Sequence, residues 1–508
     1  MAGQRFAGAA AGILGVWVLV AGCGGPGARD IVQRDQLSPG EGGPKISRVI
    51  DLGDIRSLPQ SGVMPQPDSD DRFVMGELVL IEGDDFGQLP AVRIGGQAAR
   101  VLARTGAGGI VCRIPTGIDS GTIEIVVSHE GGRDSSSVGV ERYAALLDRN
   151  GGQVYFVALG GGSEGEVRAR LSIPGAIDVR IAPDGRAAYV VANPAAADQT
   201  ASIRVISLTS GGGPKEVRAL HLDLAQVTAF GVAERAPIGA VVGRGQLVLL
   251  DLDSSLRPQT MAPFPLIADA TAMAVNAEGK QIALLSADDN VLTTVNVSQR
   301  EAPRMDGTID LLPGEREPAA VDLEYAPGGG ELWVLLGDRP AAPAAEPRPT
   351  RLALVGWETG RARIERTVEI KNATGLPVGL AIGRRARSAV RQAPMLISTV
   401  HRKLFANDPS FVPSKLDDLG QLIGIDPEGH SKALSSQTAV FGDPEVSQDL
   451  AWAISPTIRL VRGGGGTAFD LGLSFEPLPG GRGKYRFIKL GEGKPSDLKR
   501  PPVFAIAP

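Results

Sequence analysis

Residues 177–208 read IDVRIAPDGRAAYVVANPAAADQTASIRVISL, and this stretch decides the fold. Ile177, Val179 and Ile181 alternate with Asp178 and Arg180, the period-two pattern of a half-buried strand. Pro183-Asp184-Gly185 is a turn signal, because proline presets φ and glycine tolerates a positive one. Ala187 to Ala192 is apolar throughout, which suits a strand covered on both faces. Ser202 to Leu208 alternates again, and Thr209-Ser210-Gly211 closes the unit.

Weaker copies of this unit follow. Val227 to Gly243 precedes Gln246 to Leu252, Thr271 to Ser286 precedes Val291 to Val297, and Val321 to Leu336 precedes Arg351 to Trp357. A fourth, more degenerate copy spans Gly379 to Val400 and Gln421 to Asp426, and a fifth runs from Gln448 to Val461. Residues 143–175 read as an opening unit, partial or full. Ala182, Ala233, Asn276 and Ala326 align, with steps of 51, 43 and 50 residues. These units resemble the YVTN-like and WD40-like repeats of β-propellers, whose blades take about 40–50 residues each. The resemblance implies a propeller of six or seven blades over 143–508, a ring that leaves only short sheet edges exposed. The stretches 339–350 and 402–420 interrupt the rhythm and read as loops.

Composition agrees with many short strands. Glycine and proline, 67 and 37 residues, supply 104 of the 508 positions, far more turn formers than long helices tolerate.

Upstream, 44–142 has a different pattern. Leu78 to Ile81 is apolar throughout, which predicts cover on both faces, whereas Ile123, Ile125 and Val127 alternate with Thr122 and Glu124. Gly83, Gly87, Gly95 and Gly96 stand where tight turns call for positive φ, with Phe86 placed to plug the core beside them. The run from Pro44-Lys45-Ile46 through Gly83-Asp84-Asp85-Phe86-Gly87, Val92-Arg93-Ile94-Gly95-Gly96, Cys112-Arg113-Ile114-Pro115 and Gly121-Thr122-Ile123 resembles the IPT/TIG domain. Asp85 stands where that family usually has asparagine. The resemblance implies an immunoglobulin-like β-sandwich and carries no active site, because function does not follow from fold. The expected fold class is therefore all-β, a sandwich followed by a propeller.

The N-terminus sets the expected compartment. Residues 6–22, FAGAAAGILGVWVLVAG, follow Arg5 and are short and rich in small residues for a membrane span. They end in Leu19-Val20-Ala21-Gly22-Cys23, which resembles the bacterial lipobox. That resemblance implies a signal peptide over 1–22, lipid on the Cys23 thiol, and cleavage before it. Two or more acyl chains anchor stably to a membrane. Residues 23–43 then form a flexible tether, and Gly24 in place of aspartate points to the outer membrane. Cys112 is left as the one unlipidated thiol, suited to a buried strand over 110–115.

Chemistry is sparse. The net charge of −5 gives no basic surface for nucleic acid. His129, His221, His401 and His430 hold no metal-ligand spacing, and there is no CxxC, GxSxG or phosphate-loop pattern, so no metal, cofactor or catalytic residue is assigned. His401 reads as an exposed turn, and His221 as a surface residue before a Leu222-Asp223-Leu224 strand. Asp288-Asp289 and Asp417-Asp418 read as solvated turns, with residues 68–71, DSDD, the weak candidate for calcium. The expected function is non-enzymatic: a lipid-anchored envelope protein that binds a protein or glycan through sandwich and propeller loops. A propeller enzyme acting on polysaccharide is the rival, since such sites are assembled across blades and leave no local motif. A structural subunit of an envelope secretion or motility complex is the third reading.

Overall fold

The computed structural model describes residues 43–53 and 72–506, apart from short stretches inside the latter, the longest being 339–347, 384–394 and 406–418. Cys23, the signal peptide and the 68–71 aspartates lie outside the described residues.

The first module is a two-sheet sandwich. Lys45–Gly53, Leu78–Asp84, Ile110–Arg113 and Val101–Arg104 make one sheet; Gln97–Ala99, Ala91–Ile94, Gly121–His129 and the first half of Gly132–Asp148 make the other. Val79, Ile81 and Cys112 face Ile94, Ile125 and Val127 across the core, with Phe86 among them. Leu78 and Leu80 point the other way and are also buried, so this strand is covered on both faces as its unbroken apolar run predicts. Gly87, Gly95 and Gly96 do take positive φ. Gly83 does not: it lies in a strand where a Cβ would stand 1.9 Å from the Lys45 carbonyl oxygen, so close approach and not turn geometry requires glycine there.

The Cys112 thiol is fully buried, and burial pushes its pKa up to about 12. The thiol is inert in the fold, because the thiolate is the nucleophile. In a Cys23→Ser chain, iodoacetamide at pH 8 leaves the native protein unmodified and adds one label after denaturation. A label on the native protein, read by mass, would contradict this.

Seven antiparallel units follow in a ring; five have four strands, and in the second and sixth one edge position is split between two short strands. Blade 1 is Ala176–Ile181, Ala187–Ala192, Ser202–Ser207 and Lys215–His221, each strand antiparallel to the next. Blades 2 to 6 repeat the order from inner strands Ala229–Val232, Ala272–Val275, Ala320–Tyr325, Leu376–Ile382 and Ala439–Phe441. Blade 7 combines both ends of the module: Val503–Ile506 innermost, then the second half of Gly132–Asp148, then Gln153–Leu159 and Val167–Ser172. The opening unit is thus three strands of a blade whose fourth comes from the C-terminus. The innermost strands touch in turn from blade 1 to blade 5; in blade 6 the short strand Glu445–Val446 touches both Leu376–Ile382 and Val503–Ile506, and Val503–Ile506 touches Ala176–Ile181 of blade 1.

An apolar core fills each of the seven seams. Between blades 1 and 2, Tyr189, Val191 and Val205 pack on Phe230, Val241 and Leu250. Leu222 and Leu224 plug the same seam from irregular backbone, so the expected Leu-Asp-Leu strand is a core plug instead. Each fully buried aliphatic side chain contributes roughly 1.5–3 kcal/mol, so stability is spread over the whole ring. Polar clamps add register. The Asn193 amide accepts from the Val227 N–H at 2.7 Å and donates to its carbonyl at 2.9 Å, tying blade 1 to blade 2. Asn290 does the same for blades 3 and 4, accepting from Ala319 and Ala320.

The aligned positions share one role. The N–H groups of Ala182, Ala233, Asn276 and Ala326 donate to Ala187, Ile238, Gln281 and Glu331 at 2.8–2.9 Å, closing the first hairpin of four blades. Gly185, Gly279 and Gly329 stand three residues into these turns at φ 70°, 64° and 67°. The stretch 402–420 departs from the expected loop at its start, where Arg402–Phe405 forms one 3-10 turn.

The two modules share backbone. Gly132–Asp148 pairs with Gly121–His129 as far as Val140 and with Gln153–Leu159 from Arg142 onward. Beside this crossover Phe73–Val74 pairs in parallel with Val140 and Glu141, and Val74 enters the core between blades 7 and 1. Glu141 and Arg168 form an ion pair here, their side chains 5% and 10% exposed, with Arg168 also meeting Glu166.

Candidate functional site

The ring leaves a central channel, and its lining follows from the aligned hairpins. Two residues before each aligned position stand Arg180, Gly231, Ala274 and Glu324; four before stand Asp178, Ala229, Ala272 and Asp322. Small side chains on blades 2 and 3 keep the channel open, and charge enters from blades 1 and 4. Towards the ends of the inner strands the channel narrows to a cavity of about 100 Å³ beside Glu234, Glu324 and Tyr325. Towards their starts it widens to about 610 Å³, between Arg149, Asp178, Arg180, Gln226, Thr228 and Asp322. The second volume is within the range of small-molecule sites.

Bulges shape this wide mouth. The inner strands of blades 1, 4 and 5 each slip register by one residue, between Ala176 and Asp178, Ala320 and Asp322, and Pro377 and Gly379. The extra residues, Ile177, Val321 and Val378, are half-buried and line the cavity. Bulges commonly re-aim side chains at such rims. Asp178 and Asp322 follow two of them. The Asp178 carboxylate accepts from the Val179 N–H at 2.7 Å and pairs with Arg180 at 3.3 Å. The Asp322 carboxylate accepts from Leu323 at 2.8 Å and, across the seam, from Leu380 at 2.9 Å. Both acids are thus held by backbone amides. Thr228 and Thr271 lie at the rim, their hydroxyls bonded to the Val242 and Leu285 carbonyls at 3.3 and 3.1 Å.

Two tyrosines stand in or near the ring wall. Burial pushes the Tyr189 and Tyr325 hydroxyls well above the usual phenol range, so both stay neutral donors. Tyr189 donates to the Ser255 carbonyl at 2.8 Å, and Tyr325 to the Gln281 side chain at 3.3 Å while stacking on Trp357.

The histidines are scattered. His129 ends a sandwich strand, with Nδ1 accepting from Gly131; His221 ends the outer strand of blade 1; His401 caps the 3-10 turn by accepting from Lys403; His430 is exposed before Ser431. Asp289 accepts from the Ser286 hydroxyl at 2.8 Å, whereas Asp417-Asp418 lies outside the described residues. Among the described residues no three acidic, histidine or cysteine side chains converge as a metal site would need. The channel residues were not singled out by motif, because neighbours across the ring are some 50 residues apart in sequence. One signal was present: Ala176-Ile177-Asp178-Val179 and Ala320-Val321-Asp322-Leu323 share a pattern at the same distance before their turns.

Comparison with known proteins finds a domain match and several similar solved structures. Residues 72–142 match the IPT/TIG domain. No curated protein matches the chain. Among solved structures it is similar to a putative 6-phosphogluconolactonase of Bacteroides fragilis, at 9% identity over 72% of this chain and 98% of the other, with a TM-score of 0.49. It is also similar to the periplasmic gluconolactonase of Pseudomonas aeruginosa, at 12% identity over 72% and 99%, with a TM-score of 0.46. A third is an auxiliary nutrient binding protein of Bacteroides thetaiotaomicron, at 10% identity over 76% and 93%, with a TM-score of 0.37. The chain's own strand order and the domain match together identify an IPT/TIG sandwich joined to a seven-bladed β-propeller.

Proposed function

We propose that this chain is a lipid-anchored protein of the cell envelope, set in the outer membrane through Cys23, that binds a protein or glycan partner without transforming it. The observation that carries the binding reading is the wide channel mouth, a cavity of about 610 Å³. Its acids are tied to backbone amides and its rim hydroxyls to strand carbonyls, an arrangement that favours rigid recognition over proton transfer. The IPT/TIG sandwich adds a second set of loops.

Affinity capture from envelope extracts tests the reading. It expects retention of an envelope protein or glycan; turnover of a polysaccharide with no retained partner would replace it by the enzyme reading. The anchor has its own test. Cys23→Ser abolishes palmitate labelling and releases the chain from the membrane pellet, and labelling that persists in the serine variant would remove the anchor.

A further inference from the structure

The inference rests on the wide channel mouth as the binding site and specifies what enters it. Arg149 lies in the turn after Gly132–Asp148, on blade 7. The turn is held by Asp148, whose carboxylate accepts from the Asn150 and Gly151 N–H groups at 3.0 and 3.1 Å. From there the Arg149 side chain crosses to blade 1, where its Nε donates to the Ile177 carbonyl at 2.8 Å. Ile177 is the bulge residue of blade 1, so the bulge supplies the carbonyl that fixes the guanidinium at the cavity wall. One of its five N–H donors is spent on that bond, and no described residue pairs with the two terminal nitrogens. A guanidinium tethered at Nε presents a planar fork suited to a carboxylate.

The rest of the mouth defines the remainder of the ligand. Its charged groups are Arg149, Arg180, Asp178 and Asp322, so its formal charge balances. Asp178 is matched by Arg180, and Asp322 is held by two amides. Arg149 is the cation with donors to spare, which favours a single negative charge over a dianion that would face both aspartates. Gln226 and Thr228 are exposed on the rim and can meet hydroxyls, while Ile177, Val321 and Val378 offer apolar contact to a carbon skeleton.

We propose that the channel mouth binds a hydroxyl-rich monocarboxylate of the sugar-acid class, with its carboxylate on Arg149.

Calorimetry with the full chain carrying Cys23→Ser tests this, using galacturonate and glucuronate, the neutral sugars galactose and glucose, and lactate as a carboxylate with a single hydroxyl. The sugar acids bind, the neutral sugars bind at least about tenfold more weakly, and Arg149→Gln lowers sugar-acid affinity by a similar factor while Arg149→Lys retains part of it. Unchanged thermal melting of Arg149→Gln shows that the effect is not unfolding. Equal binding of neutral sugars, or full affinity in Arg149→Gln, overturns the proposal. Lactate binding as tightly as the sugar acids overturns the hydroxyl-rich assignment. No binding by any of these probes also overturns it, while a partner still captured from envelope extracts would leave the broader binding reading standing.

Discussion

A chain ended at residue 501 melts roughly 5 °C below the unshortened chain and aggregates on heating. The lost segment contains Val503–Ile506, the innermost strand of blade 7, which pairs with Leu147, Leu146, Ala145 and Ala144. Its removal bares the edge of a long strand and opens the core in which Val503 and Ala505 pack with Leu147, Val154 and Val179. Lost burial and the cavity left behind amount to about 4 kcal/mol, and for a module of this size that corresponds to a shift of the order stated. An unpaired apolar edge is also a template for association. Differential scanning calorimetry reads the shift; Val503→Asp gives a second measurement in which the chain keeps its length. Unchanged melting in both would mean that the C-terminal strand does not close the ring.

The second large effect is at the junction. Arg168→Met costs about 3–5 kcal/mol, because it removes a cation from a pair with almost no solvent and leaves the Glu141 carboxylate buried. In the native protein, burial alone would lower the Arg168 pKa, but the hydrogen bonds and charge of Glu141 outweigh it and raise it. Urea titration of Arg168→Met at pH 7 reads the loss. Glu141→Gln combined with Arg168→Met recovers much of the loss at pH 7. A single variant as stable as the native protein at pH 7 would show that the pair contributes nothing.

Much of this architecture is written locally. The Pro183-Asp184-Gly185 turn and the apolar run at 187–192 mark a blade hairpin, and the aligned Ala182, Ala233, Asn276 and Ala326 make the same hydrogen bond in each copy. The glycine pattern of the sandwich is legible for the same reason, since a turn is decided by a few neighbours. What escapes a linear reading is whatever the ring itself assembles. Val503–Ile506 looks like any short apolar segment until the ring brings it beside Leu147. Gly83 looks like a turn glycine until the neighbouring strand carries the Lys45 carbonyl against it. The wide mouth draws residues from six blades, so Arg149 and Asp322 share no motif although one cavity receives both. Their meeting is set by blade geometry, which no spacing within a single repeat encodes.

The crossing strand Gly132–Asp148 has a mechanical consequence. At 17 residues it reaches about 55 Å, and its first half belongs to the sandwich and its second half to the propeller without a break. If the chain is tethered at its N-terminus and a partner grips the propeller, tension cannot dissipate in a slack hinge. It runs lengthwise along this one strand and loads its hydrogen bonds to Gln153–Leu159 and Val503–Ile506 in shear, all at once instead of one after another. Such an arrangement yields abruptly at high force, so the sandwich and the propeller bear a load as one stiff body.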